Sequence, residues 1–63
     1  MIIVNMPDGK QIETKKRRIK DILKELHLNE NAVLVARGED LLTPDISLEK
    51  EDEITIISVV SGG

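Results

Sequence analysis

The stretch Glu53–Val60 reads EITIISVV and runs straight into Ser61-Gly62-Gly63. Six of its eight residues are β-branched, and such side chains suit a pleated surface, so the stretch is expected to be a strand. Ile54 and Ile56 alternate with Glu53 and Thr55, which puts the isoleucines on a core face and the polar pair outside. Toward the end the alternation fails, because Ile57 and Val59 continue the outer face with apolar residues.

The rest of the chain has to complete a sheet around this strand. MIIVN (1–5) is a second β-branched run, with Ile2 and Val4 on one face and Ile3 on the other. Pro7-Asp8-Gly9 is turn chemistry: proline presets φ and glycine accepts a positive φ. With QIET (11–14) it predicts an N-terminal hairpin, Ile12 pointing inward. Ile19, Ile22, Leu23 and Leu26 fall at i, i+3, i+4 and i+7, one face of an amphipathic helix over roughly 18–27. Asp21 is placed to pair with Arg17 and Lys24 on the other face. AVLVAR (32–37) is a strand, GED (38–40) a turn, and LLT (41–43) a very short strand before Pro44. Residues 44–52 are irregular, anchored by Ile46 and Leu48. The expected order is β-β-α-β-(β)-β, an α+β fold with a mixed four- to five-stranded sheet and the helix across one face.

One helix covers one face of a sheet. The opposite face is then left bare where Ile3, Ile57 and Val59 lie, and an exposed apolar patch beside the end of the chain marks a partner site.

Length and composition bound what such a domain can do. Sixty-three residues make one domain, which buries only about 60% of its unfolded surface and has no room for a large substrate cavity. There is no cysteine, hence no disulfide, thiolate metal site or cysteine nucleophile. The opening MIIVNMPDG has no basic segment ahead of its short apolar run, unlike a signal peptide. No stretch approaches the ~20 apolar residues of a membrane span, so a cytoplasmic protein is expected. Phe, Trp and Tyr are absent and the net charge is −3, which argues against stacking on bases and against general phosphate-backbone binding.

The element order, the PDG turn, the single amphipathic helix and the ending Val59-Val60-Ser61-Gly62-Gly63 resemble the ubiquitin-like sulfur carriers of the ThiS and MoaD type. The likeness spans the whole chain, and the short length is more similar to ThiS than to MoaD. It implies a ubiquitin-like β-grasp domain over 1–60 and a flexible Ser-Gly-Gly tail over 61–63. It further implies a carrier that is acted on rather than an enzyme. A ubiquitin-activating-type adenylyltransferase uses ATP to adenylate the C-terminal carboxylate, a persulfide donor displaces AMP, and the thiocarboxylate feeds a sulfur-accepting synthase. On this chain Gly63 would carry the reactive carboxylate, with Gly62 behind it. Ile3, Ile57, Val59 and Ser61 would dock the partners. The implied route is thiazole formation in thiamine biosynthesis, with molybdopterin synthesis, tRNA thiolation and attachment to protein lysines as alternatives, and a docking module with an idle tail as the rival class. The protein is expected to be a monomer with no bound cofactor, metal, nucleic acid or membrane. Independently of any family, a carboxylate that must enter another protein's narrow channel needs slender residues that tolerate any backbone angle.

The remaining polar residues carry less. Lys15-Lys16-Arg17-Arg18 reads as a solvated helix edge or a contact for an acidic partner surface. His27 stands alone near the helix C-terminus, where positive charge is favourable, and is neither a metal site nor half of a dyad. The loop carboxylates at 8, 39 and 40, at 45, and within the EKEDE stretch over 49–53 are read as solvated surface, and Gly9 and Gly38 as turn residues.

Overall fold

The computed structural model describes residues 1–59. Its elements are β1 (Ile2–Asn5), β2 (Gln11–Thr14), α1 (Ile19–Glu25), β3 (Val33–Arg37), β4 (Asp40–Leu42) and β5 (Glu53–Ser58). The five strands form one mixed sheet in the order β2-β1-β5-β3-β4. β5 sits in the middle, parallel to β1 and antiparallel to β3. The strand with the strongest sequence signal is thus buried between two neighbours.

Both hairpins follow from local chemistry. Met6-Pro7-Asp8-Gly9 closes with the Gly9 N–H on the Met6 carbonyl at 3.0 Å, Gly9 takes φ +95°, and Asp8 Oδ1 accepts the Lys10 N–H at 3.1 Å. In the second, Arg37 pairs with Asp40 across a loop of Gly38 and Glu39, and Gly38 takes φ +63° at the first loop position.

The helix starts in an unusual way. Arg18 is the N-cap residue and its side chain makes no capping bond. The first orphan amides are met instead by an irregular segment: Ile19 N–H donates to the Ile46 carbonyl at 3.1 Å and Lys20 N–H to Pro44 at 2.9 Å. Leu48 N–H donates to the Arg17 carbonyl at 2.8 Å, and Arg18 bridges Ser47. Residues 44–48 are therefore a strap tied to the helix entry. The helix ends sooner than its periodicity suggests. His27 adopts φ +58° just after the C-cap Leu26, with His27 N–H on the Lys24 carbonyl at 3.1 Å and Leu28 N–H on Leu23 at 2.8 Å. This is a Schellman ending with histidine where glycine is usual.

The core lies between helix and sheet as expected. Ile2 and Val4 from β1, Val35 from β3, Ile54 and Ile56 from β5, Ile19, Ile22 and Leu23 from α1, and Leu48 from the strap are all buried. Ile12, Leu26, Leu42 and Ile46 pack around them. Thr14 is the buried polar residue among the described ones, its hydroxyl donating to Glu25 Oε1 at 2.8 Å. The ion pairs expected of Asp21 with Arg17 and Lys24 do not form among the described residues. All three side chains are solvent-exposed, where such a pair offsets little of the side-chain entropy it costs.

Candidate functional site

The uncovered face of the sheet is the candidate site, and pairing register decides its composition. Ile57 stands opposite Leu34 of β3, Thr55 opposite Ala36, and Ala36 opposite Leu41 of β4. Val59 stays attached beyond the strand, its N–H donating to the Ala32 carbonyl at 3.1 Å. Ile57 is 40% exposed, Leu34 42%, Val59 48% and Leu41 64%. These four side chains form an apolar strip over the β5-β3-β4 half of the outer face. The helix covers only the other side of the sheet, and burial against a partner would withdraw this strip from water.

Ile3 does not belong to that strip, contrary to expectation. It faces Glu13 of β2 on one side and Glu53 of β5 on the other. Ile57 lies four residues further along β5, roughly 13 Å from Glu53 at strand rise. The β2-β1 half of the face is a polar ladder: Gln11 Nε2 donates to Asn5 Oδ1 at 2.8 Å, and Asn5 Nδ2 to Glu53 Oε2 at 2.7 Å. Ile3 is half-buried within it. Leu34 and Leu41 are the residues that sequence reasoning missed. AVLVAR is apolar throughout, so no alternation tells which side chains point outward. Only the pairing of Val35 with the buried Ile56 settles Leu34 on the outside.

Ser61, Gly62 and Gly63 lie outside the described residues, as does Val60.

Nothing among the described residues amounts to an active site. No cluster of three or more His, Cys, Asp or Glu side chains could hold a metal ion. Surface depressions of about 180 and 190 Å³ fall short of the ~300–1,000 Å³ usual for small-molecule sites. His27 serves as the left-handed helix stop. Among the loop carboxylates, Asp45 is held below the usual carboxylate range by the Thr43 hydroxyl that donates to it, helped by a backbone N–H, and it is fully exposed. That is a turn device. No described helix is long and apolar enough to cross a membrane.

A mixed five-stranded sheet with a central C-terminal strand and one helix across a single face is the β-grasp of the ubiquitin-like proteins. The chain belongs to the ThiS family, whose model matches residues 3–63 and so runs through the terminal glycines. It is also 36% identical over 63 residues to the sulfur carrier protein TtuB of Thermus thermophilus, a match covering 98% of this chain and 97% of that protein. The fold and these likenesses define a ubiquitin-like sulfur carrier of the ThiS/MoaD type. Proteins of this class are in general substrates of other enzymes rather than enzymes themselves.

Proposed function

We propose that this carrier holds sulfur as a thiocarboxylate on Gly63. A ubiquitin-activating-type partner would use ATP to form an acyl-adenylate on the terminal carboxylate. A persulfide would attack the acyl carbon and expel AMP to give an acyl disulfide, and a second thiol of the sulfur donor would then attack the donor's sulfur, forming a disulfide within the donor and releasing the thiocarboxylate for a sulfur-accepting synthase. Gly62 and Gly63 would thread the partner's channel while Ile57, Val59, Leu34 and Leu41 dock the body of the carrier, Ser61 lying at the mouth of the channel.

The observation that carries this reading is the family match extending to Gly63, with the exposed apolar strip at the end of β5 as support. The test is intact-mass spectrometry after incubation with ATP, an adenylating enzyme of the family and a persulfide source. A gain equal to one oxygen replaced by sulfur, absent in a Gly63-deleted chain, is the expected result. No adduct of AMP or sulfur with several such enzymes would leave the docking-module reading instead.

For the acceptor, thiazole formation in thiamine biosynthesis is the reading suggested by the ThiS family and the short chain. The likeness to TtuB supports sulfur carriage and lends no weight to thiamine in particular, so tRNA thiolation stands beside it. Supplying the thiocarboxylate to a thiazole synthase and to a tRNA-thiolating enzyme, and following labelled sulfur into each product, separates the two.

A further inference from the structure

Three of the chain's nine cations, Lys15, Arg17 and Lys50, lie at the pole opposite the end of β5. There, an open depression of about 180 Å³ is lined by Met1, Ile2, Lys15, Arg17, Lys50 and Glu51. β1 and β5 run parallel from this end, Ile3 beside Glu53, so Val59 lies six residues further along, roughly 20 Å away. A partner holding the end of β5 therefore leaves this depression open.

Three features make it more than a scatter of surface lysines. First, its rim is fixed by backbone bonds: Arg17 accepts from Leu48 at 2.8 Å, Ile3 N–H donates to the Asp52 carbonyl at 3.0 Å, and Ile2 is buried beneath. Second, none of Lys15, Arg17 and Lys50 is in an ion pair among the described residues, and all three are exposed. Third, the lining carboxylate, Glu51, is already engaged by the Met1 amino group at 3.2 Å, its backbone held at φ +69°. Three free cations thus converge on a hollow whose own carboxylate is occupied.

We propose that this pole is a second docking point, for a short acidic segment of a partner protein, used independently of the sulfur-bearing tail. The hollow is sized for one or two carboxylate side chains. A nucleic acid is the poorer match on two counts. The chain has no aromatic residue on which a base could stack. A long polyanion would also run past the hollow across a surface whose 12 acidic residues outnumber 9 basic ones, whereas a short segment can keep to the hollow, where Glu51 is held by the Met1 amino group and neighbouring Asp52 by Arg37.

The test uses the full chain, labelled with ¹⁵N, titrated with a blocked peptide of alternating Glu and Gly at low salt, with no ATP and no activating enzyme. Its outcome is thus separate from that of the sulfur chemistry. Saturable amide shifts confined to residues 1–2, 15–17 and 50–51 are expected. The doubly charge-reversed chain Lys15→Glu/Arg17→Glu should bind roughly two- to fivefold more weakly for each cation removed, while Lys24→Glu should bind as the parent does. A dispersed spectrum from each variant checks folding. Shifts spread evenly over all lysines, no saturation, or tighter binding of a single-stranded RNA of equal charge than of the peptide would each overturn the proposal.

Discussion

Replacing His27 by glycine should stabilise this protein. His27 is the first residue beyond the helix cap and holds φ +58°, which lets Leu28 N–H reach the Leu23 carbonyl at 2.8 Å and His27 N–H reach Lys24 at 3.1 Å. For a residue with a Cβ, the left-handed region costs ~1–2 kcal/mol, and histidine, which visits it more readily than most, falls near 1. Glycine removes that cost but gives up ~0.5 kcal/mol more backbone entropy on folding. The imidazole is exposed and makes no hydrogen bond among the described residues, so its removal subtracts little. The net gain is about 0.5 kcal/mol. A domain of 63 residues has a total stability of ~3–9 kcal/mol, so the gain is large in proportion. At ~4–8 °C per kcal/mol for a domain of this size, Tm should rise by about 2–4 °C. Thermal and urea unfolding followed by circular dichroism would measure it, with an unchanged m-value. His27→Ala is the control: it keeps the positive φ and the Cβ, and should stay within ~0.5 kcal/mol of the parent. If alanine stabilises as much as glycine, or if glycine destabilises, the backbone argument is wrong.

Other expectations follow from burial and register. Ile56→Glu should unfold the domain, because Ile56 is 1% exposed and an unpaired buried charge has no partner there, whereas Ile57→Glu should fold and block adenylation by the activating enzyme; circular dichroism and pyrophosphate release report the two effects. Leu34→Glu should impair adenylation as Ile57→Glu does, and Ile3→Glu much less, since Leu34 faces Ile57 while Ile3 faces Glu13 and Glu53; equal losses at all three would place the docking surface across the whole sheet. Ile54→Ala, at the centre of the core, should cost ~2–5 kcal/mol and leave the chain near its unfolding threshold in a urea titration. The Asp45 carboxyl is lowered in the folded chain, so its contribution to stability is present above the unfolded pKa and is lost as pH falls through the folded one. Thr43→Ala should return that carboxyl toward its ordinary value of 3.8, as read from an NMR titration of the Asp45 side chain.

Patterns repeated within a single element were legible in the sequence. Ile19, Ile22, Leu23 and Leu26 declared a helix and its buried face by spacing alone. Ile54 and Ile56 against Glu53 and Thr55 declared the inner face of β5, because side-chain direction alternates along a strand whatever its neighbours are. Pro7-Asp8-Gly9 declared a hairpin, since turn geometry is set by the residues in it. The carrier class was legible through the family resemblance and the terminal glycines.

Tertiary structure decided the features that depend on which segments become neighbours. Ile3 and Ile57 share a face by parity, yet parallel pairing of β1 with β5 sets them roughly 13 Å apart at strand rise and puts Glu53 beside Ile3. Leu34 and Leu41 joined Ile57 only because β3 pairs with β5 on one edge and with β4 on the other. The helix entry took its bonds from Ile46 and Pro44, more than twenty residues downstream, where no N-cap signal could be read at Arg18. Lys15, Arg17 and Lys50 met because the strap over 44–48 is tied to the helix entry. Periodicity and turn chemistry are local and survive in one dimension; adjacency comes from the registers of paired strands, and a one-residue slip would turn every side chain of a strand to the other face.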